Sequence, residues 1–282
     1  MDLQQILLYS AILPGVAAGL LLLVGGRRHA DFGIGATAAI LIPWLAVNNW
    51  TWPAFPPPES ASALPLAVLV AGLLTLFPAP AIGRRWIRRA LGLIPALLVA
   101  YYVMSTQKTV SGAWTGGLLI LAWVLSAEAL TTVRSGWEVP ASWLLAFALA
   151  VLAFERAGSA SAMQVCGGLA AACGAFAVLG GVRGLNCSGA VLPLGVAFYG
   201  LLANTHLFAT DFPLSAAVLL GVAPLAAWIG ELPLFSERPT WMRAGARLLA
   251  VLIIGGIGLA IAAAHAPDAE PDDNPYGSYG SR

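Results

Sequence analysis

The chain has 282 residues, of which 59% are hydrophobic and only 10% charged, with a mean hydropathy of +0.84 and a formal net charge of +1. A soluble domain carries about 25% charged residues because its surface faces water, so these charges are too few to coat a globule of this length. The composition excludes a water-soluble fold in favour of a chain solvated by lipid, and the near-zero net charge excludes nucleic acid, which needs a basic field.

A helix needs roughly 17 to 25 mostly apolar residues to cross the hydrocarbon. Ten segments fit that template: 4–24, 32–49, 63–82, 90–105, 113–133, 140–155, 162–182, 190–208, 213–230 and 245–264. The fourth and sixth are short, and removing both would leave eight crossings. No basic n-region precedes the first, so it is expected as a retained helix, not a cleaved signal; its Gly15 and Gly19 are spaced for close helix contact. Between the second and third, residues 49–62 are rich in proline and predict a stiff extended connector. Pro95, Pro193 and Pro224 fall inside the fourth, eighth and ninth segments, where each predicts a kink. The seventh is dominated by small residues, Gly167, Gly168, Gly174 and Gly180 among them, and is expected at the centre of the bundle. The tenth carries Gly255, Gly256 and Gly258. Residues 265–282 have almost nothing to bury and are expected as an acidic, disordered tail behind a transmembrane domain of 1–264.

Orientation follows from the cations, because Lys and Arg beside membrane helices stay on the cytoplasmic side. Loops after odd-numbered segments hold eleven arginines: Arg27, Arg28, Arg84, Arg85, Arg88, Arg89, Arg134, Arg183, Arg238, Arg243 and Arg247. Loops after even-numbered segments hold only Lys108 and Arg156. The fold class predicted is therefore all-α: a polytopic integral membrane bundle of about ten transmembrane helices with both termini on the non-cytoplasmic side. The bacterial inner membrane is the expected location. The tryptophans suit that frame as interfacial anchors, with Trp44, Trp50, Trp52 and Trp114 near the outer surface and Trp86, Trp137, Trp143, Trp228 and Trp241 near the inner one. Trp123 alone lies mid-helix.

Few side chains are placed for chemistry. Glu128 lies six residues before Arg134, about 9 Å further into the membrane. A charge at mid-membrane costs roughly 2.5–3.5 kcal/mol on insertion scales, so an acid at depth faces protein or water. It reads as a proton or cation site or a counter-charge for a substrate; the competing reading is a carboxyl tied to a neighbour for packing. Thr131 and Thr132 share its helical face, and Glu231 lies at a similar level, where it is expected to share a cavity with Glu128. A second group gathers near the outer face: Tyr199, Asn204, His206 and Asp211. There His206 would titrate near neutral pH if Asp211 supports it, or be an interfacial histidine with solvated neighbours. Arg84, Arg85, Arg88 and Arg89 with Trp86 form the densest charge run, suited to anionic lipid headgroups or to ordinary topogenic charge. Cys166 and Cys173 are about 10 Å apart along one helix, too far for a disulfide, and the three cysteines read as small packing residues. No His, Cys or Asp spacing suits a metal, and no cofactor is expected.

Three functions fit these residues. The first is a transporter or permease for a small solute or lipid-like molecule, which predicts a polar-lined cavity that includes Glu128. The second is a non-catalytic subunit or scaffold of a larger membrane complex, which predicts a dry, fully packed interior. The third, an integral membrane enzyme acting on lipid, needs several convergent acids, histidines or a metal site, and the chain has too few. The partners expected are the lipid bilayer, further membrane subunits and a small-molecule substrate.

Overall fold

Each of the ten apolar segments falls on helix over its described residues. The computed structural model describes residues 3–24, 29–53, 60–76, 85–104, 110–133, 136–183, 187–209 and 211–266, and no strand occurs among them. Helix α1 (Leu3–Leu7) runs through a π turn (Leu8–Ile12) into α2 (Leu13–Val24). Then follow α3 (His29–Val47), α4 (Ser60–Thr75), α5 (Arg85–Met104), α6 (Val110–Val133), α7 (Glu138–Arg156) and α8 (Ala160–Arg183). A short 3-10 turn (Ser188–Ala190) leads into α9 (Val191–Phe208). Helix α10 (Leu214–Val222) passes directly into a nine-residue 3-10 segment (Ala223–Glu231), and a single turn, α11 (Pro233–Ser236), precedes α12 (Thr240–Ala264). The acidic tail from residue 267 onward and the connector prolines Pro56, Pro57 and Pro58 lie outside the described residues.

Six of these stretches are long and apolar enough to cross a membrane: Gln4–Val24, Glu138–Arg156, Ala160–Gly180, Ser188–Phe208, Leu214–Glu231 and Thr240–Ala264. Four shorter apolar helices, Phe32–Val47, Ala63–Thr75, Leu91–Tyr101 and Ile120–Thr131, coincide with the second to fifth segments. The chain is a multi-pass helical membrane protein.

Local chemistry explains the irregular points. Pro14 has no amide to offer the Ser10 carbonyl, and the helix widens before it into the π turn, where Leu13 N–H reaches back to the Leu8 carbonyl. Helix α3 ends in a Schellman motif: Trp50 N–H bonds the Leu45 carbonyl and Asn49 N–H the Ala46 carbonyl. Asn49 takes the left-handed turn at φ 51°, a conformation asparagine tolerates. Trp50, also left-handed, lays its ring edge-on to Tyr9 at 5.7 Å. Of the three foreseen kinks, Pro193 sits in the first turn of α9, where it removes no interior helical bond. Pro95 lies inside α5, and Pro224 marks the change from α to 3-10.

Helix α8 packs against α2 and its π turn, α3, α7 and α9, while α9 meets α3, α4, α5, α6, α8 and α10. Its small residues let backbones meet. A methyl group on Gly168 would overlap the Ala39 carbonyl; one on Gly167 would lie 3.0 Å from the Ser10 carbonyl, and one on Gly180 2.8 Å from that of Gly136. Helix α12 packs on α7, α10 and the 3-10 segment, with Gly255 against Leu149 and Gly258 against Leu220. Outward, α2 presents Val16, Leu20 and Leu23 and α12 presents Leu249, Leu252 and Ile253, all exposed as lipid-facing residues are.

Inside, aromatic rings fill the space between α6, α7 and α9. Trp123 lies 5.9 Å from Trp143 and 5.6 Å from Tyr199, and Phe198 lies 4.7 Å from Phe147. Trp143 is 1% exposed and packs on Trp123, so this ring is an interior group and not the interfacial anchor anticipated; the part-buried Trp228 gives its indole N–H to Ser126 Oγ at 2.9 Å. An indole can enter the interior when its N–H finds an acceptor or its face finds another ring.

The packing at α8 yields a paired test. Gly168→Ala is expected to lower stability by about 1–3 kcal/mol through overpacking against backbone. Gly256→Ala, with no heavy atom within 4 Å of the added methyl, should change it by less than about 0.5 kcal/mol. Denaturant unfolding in detergent micelles compares the two.

Candidate functional site

The apolar helices bring polar side chains together in two places near one end of the bundle. The first surrounds Glu128. Helices α4, α5, α6 and α9 enclose a cavity of about 30 Å³, lined by Leu74, Thr75, Leu91, Gly92, Leu121, Val124, Leu125, Glu128, Ser188, Val191 and Leu192. That volume holds one or two waters. Glu128 is half-buried, and among the described residues its carboxylate meets no ion-pair or hydrogen-bond partner. Its backbone carbonyl accepts the Thr131 hydroxyl at 2.8 Å, which occupies the threonine with the helix itself. Thr75 likewise gives its proton to the Gly72 carbonyl at 2.6 Å and keeps its lone pairs for the cavity. The wall is aliphatic, so a charge on Glu128 is poorly solvated unless water or a bound cation supplies what the protein does not. The side chain of Thr132 lies outside the described residues, as do Arg84 and the side chains of Arg85, Arg88 and Arg89 at the start of α5.

The second place is an ion network between α7, α12 and the end of the 3-10 segment. Arg243 and Arg247 are one turn apart on α12 and point the same way. Arg243 grips Glu138 at the start of α7 with two bonds, Nη2 to Oε1 at 2.9 Å and Nε to Oε2 at 3.2 Å, the bidentate geometry that favours arginine. Arg247, fully buried, reaches Glu138 Oε2 with Nη1 at 2.9 Å and pairs through Nη2 with Glu231. Two acids and two guanidiniums cancel, as burial requires. Glu138 also sits at the positive end of the α7 dipole. Gly230 makes the approach possible, because a methyl group there would overlap the Arg247 side chain.

Glu231 is thus committed to Arg247. The outer group does not converge either. Tyr199 donates its hydroxyl to the Gly221 carbonyl at 2.6 Å. His206 Nδ1 lies 2.9 Å from the Phe212 carbonyl, an acceptor only, so Nδ1–H donates there and the partner is backbone, not Asp211. Asp211 is exposed in the turn before α10 and makes no ion pair among the described residues; Asn204 is half-buried and hydrogen-bonded. These groups stitch α9 to α10 and to the connection between them. The described residues hold no cluster of three His, Cys, Asp or Glu side chains placed for a metal ion, and all three cysteines are buried thiols.

Sequence reasoning missed Glu138 and counted Arg243 and Arg247 as loop charges. A signal existed: Arg247 falls inside the tenth apolar segment and Glu138 two residues before the sixth, and opposite charges at such depths must pair. Ser126, Thr75 and Ser188 carry no such signal, since a hydroxyl in an apolar helix usually satisfies itself on its own backbone.

The chain matches no protein-family model, and neither a curated protein nor a solved structure is significantly similar to it.

Arg247→Met leaves Glu231 without the guanidinium it meets and Glu138 with one cation instead of two. The expected cost is about 3–5 kcal/mol, the usual penalty for breaking a buried pair. Unfolding in detergent measures it, and a cost below about 1 kcal/mol would contradict the buried network.

Proposed function

We propose that this protein is a transporter or permease for a small solute or lipid-like molecule, with Glu128 as its proton- or cation-binding group. One observation carries the reading: a half-buried carboxylate, unpartnered among the described residues, faces a water-sized cavity with aliphatic walls. A carboxylate at that depth gains most from a transferable proton or cation, because nothing else described there solvates its charge. Ten crossings with both termini outside the cytoplasm belong to the same proposal, supported by the arginine bias and by helix at all ten apolar segments. That bias suits a bacterial inner membrane, with Arg84, Arg85, Arg88 and Arg89 against anionic headgroups.

A second reading, a subunit or scaffold of a membrane complex, draws on the outward face of α12. There Gly245 and Gly256 have no heavy atom within 4 Å of an added methyl, and Leu249, Leu252 and Ile253 are exposed beside them, which leaves room for another helix.

The test is uptake by proteoliposomes holding this chain alone, driven by an imposed proton gradient and screened across small solutes. Glu128→Gln should reduce uptake at least tenfold or abolish its dependence on pH, with insertion and stability unchanged. Unaltered transport in that variant removes Glu128 from the mechanism, and transport by the chain alone excludes an obligate scaffold. Topology is checked separately: reporter tags at residues 1 and 282 should both be reached only from outside the cytoplasm.

A further inference from the structure

The 3-10 segment Ala223–Glu231 is unusual in itself, since such runs rarely exceed three or four residues. Its hydrogen bonds are poorer than those of an α-helix, so something outside the segment must hold it. Three side-chain contacts do so, one at each end and one in between. At the start, Pro224 has no amide to give the Gly221 carbonyl, which a 3-10 turn would supply from that position. The buried Tyr199 hydroxyl, reaching over from α9, takes the place of that missing donor at 2.6 Å. In the middle, Trp228 Nε1 donates to Ser126 Oγ on α6, two residues from Glu128. At the end, Glu231 pairs with the buried Arg247, and Gly230 leaves the room this needs.

We infer that Ala223–Glu231 is a latch, held in its stretched 3-10 form by Tyr199, Ser126 and Arg247, and that its relaxation to α-helix frees α6 and opens the Glu128 cavity. The geometry sets the size of the motion. A 3-10 helix rises about 2.0 Å per residue and an α-helix 1.5 Å. Nine residues therefore shorten by about 4.5 Å on conversion and turn by roughly half a revolution. Trp228 would swing through about 100° relative to α10, far too much for its bond to Ser126 to survive. Helix α6 supplies Leu121, Val124, Leu125 and Glu128 to the cavity wall, so its release is felt there first. The opposite wall is Ser188, Val191 and Leu192, directly after Cys187. Conversion also withdraws Glu231 from Arg247, which links the cavity to the charge network without any contact between Glu128 and Glu231. The latch rests on the Glu128 cavity being the working site, but its motion is measured without transport.

Cys187 is the reporter, a native thiol 4% exposed that immediately precedes the cavity-lining Ser188 in the chain. Its rate of alkylation by N-ethylmaleimide is followed in proteoliposomes by peptide mass mapping of the full chain. Trp228→Phe keeps an aromatic ring while removing the indole N–H and the second ring; Tyr199→Phe removes only the hydroxyl. Each should raise the Cys187 rate at least fivefold, while Gly256→Ala leaves it unchanged. A rise below fivefold in both folded variants overturns the latch; should one variant fail to insert, the other decides. Faster labelling together with unaltered uptake in Glu128→Gln would leave the latch standing and remove Glu128 from the transport mechanism.

Discussion

The bundle depends on close approach of backbones at α8, because lipid tails are as apolar as leucine and give helices no hydrophobic reason to associate. What replaces that drive is dispersion between atoms in full contact, which needs surfaces without side chains in the way. Gly167, Gly168 and Gly180 provide such surfaces, one against the π turn, one against α3 and one against the start of α7. With α8 seated, α3 and α9 are set against it, and α9 brings Val191 and Leu192 to the wall of the Glu128 cavity. The position of the only half-buried acid on α6 relative to its cavity thus traces back to where glycine permits contact on a helix that holds no site residue at all.

Charge is handled differently at the two polar places. Around Arg247 the protein supplies every counter-charge itself, and the network is neutral and forked about a fully buried guanidinium. Around Glu128 it supplies aliphatic walls and two hydroxyl-bearing residues, Thr75 and Ser188. The first arrangement suits a joint between helices. The second leaves an acid to find its partner from outside the protein. Between the two runs the 3-10 segment, with its indole on α6 and its terminal carboxylate on α12.

Much of the fold is legible in the chain, because solvation by lipid requires long apolar runs whose backbone satisfies itself as helix. Much of the site is not. Trp143 has the spacing of an interfacial anchor, and only its neighbour Trp123 makes it interior. Glu231 reads from the sequence as a neighbour of Glu128, yet a helix that is apolar nearly all round does not announce which way its one carboxylate points. His206 stands five residues from Asp211 and bonds the Phe212 carbonyl instead, since the chain turns between them.

The amino-acid sequence by itself determined the solvent, the helical class, the apolar segments and the small residues by which α8 meets its neighbours. Those properties follow from the cost of placing polar backbone and charge in hydrocarbon, and that cost is paid locally, residue by residue. Only the tertiary structure decided which faces meet: that Arg247 joins Glu138 and Glu231, that Tyr199 replaces the amide Pro224 lacks, and that Glu128 lines a cavity. In an apolar helix the rotation about its own axis is set by contacts with other helices, and those contacts join residues far apart in the chain.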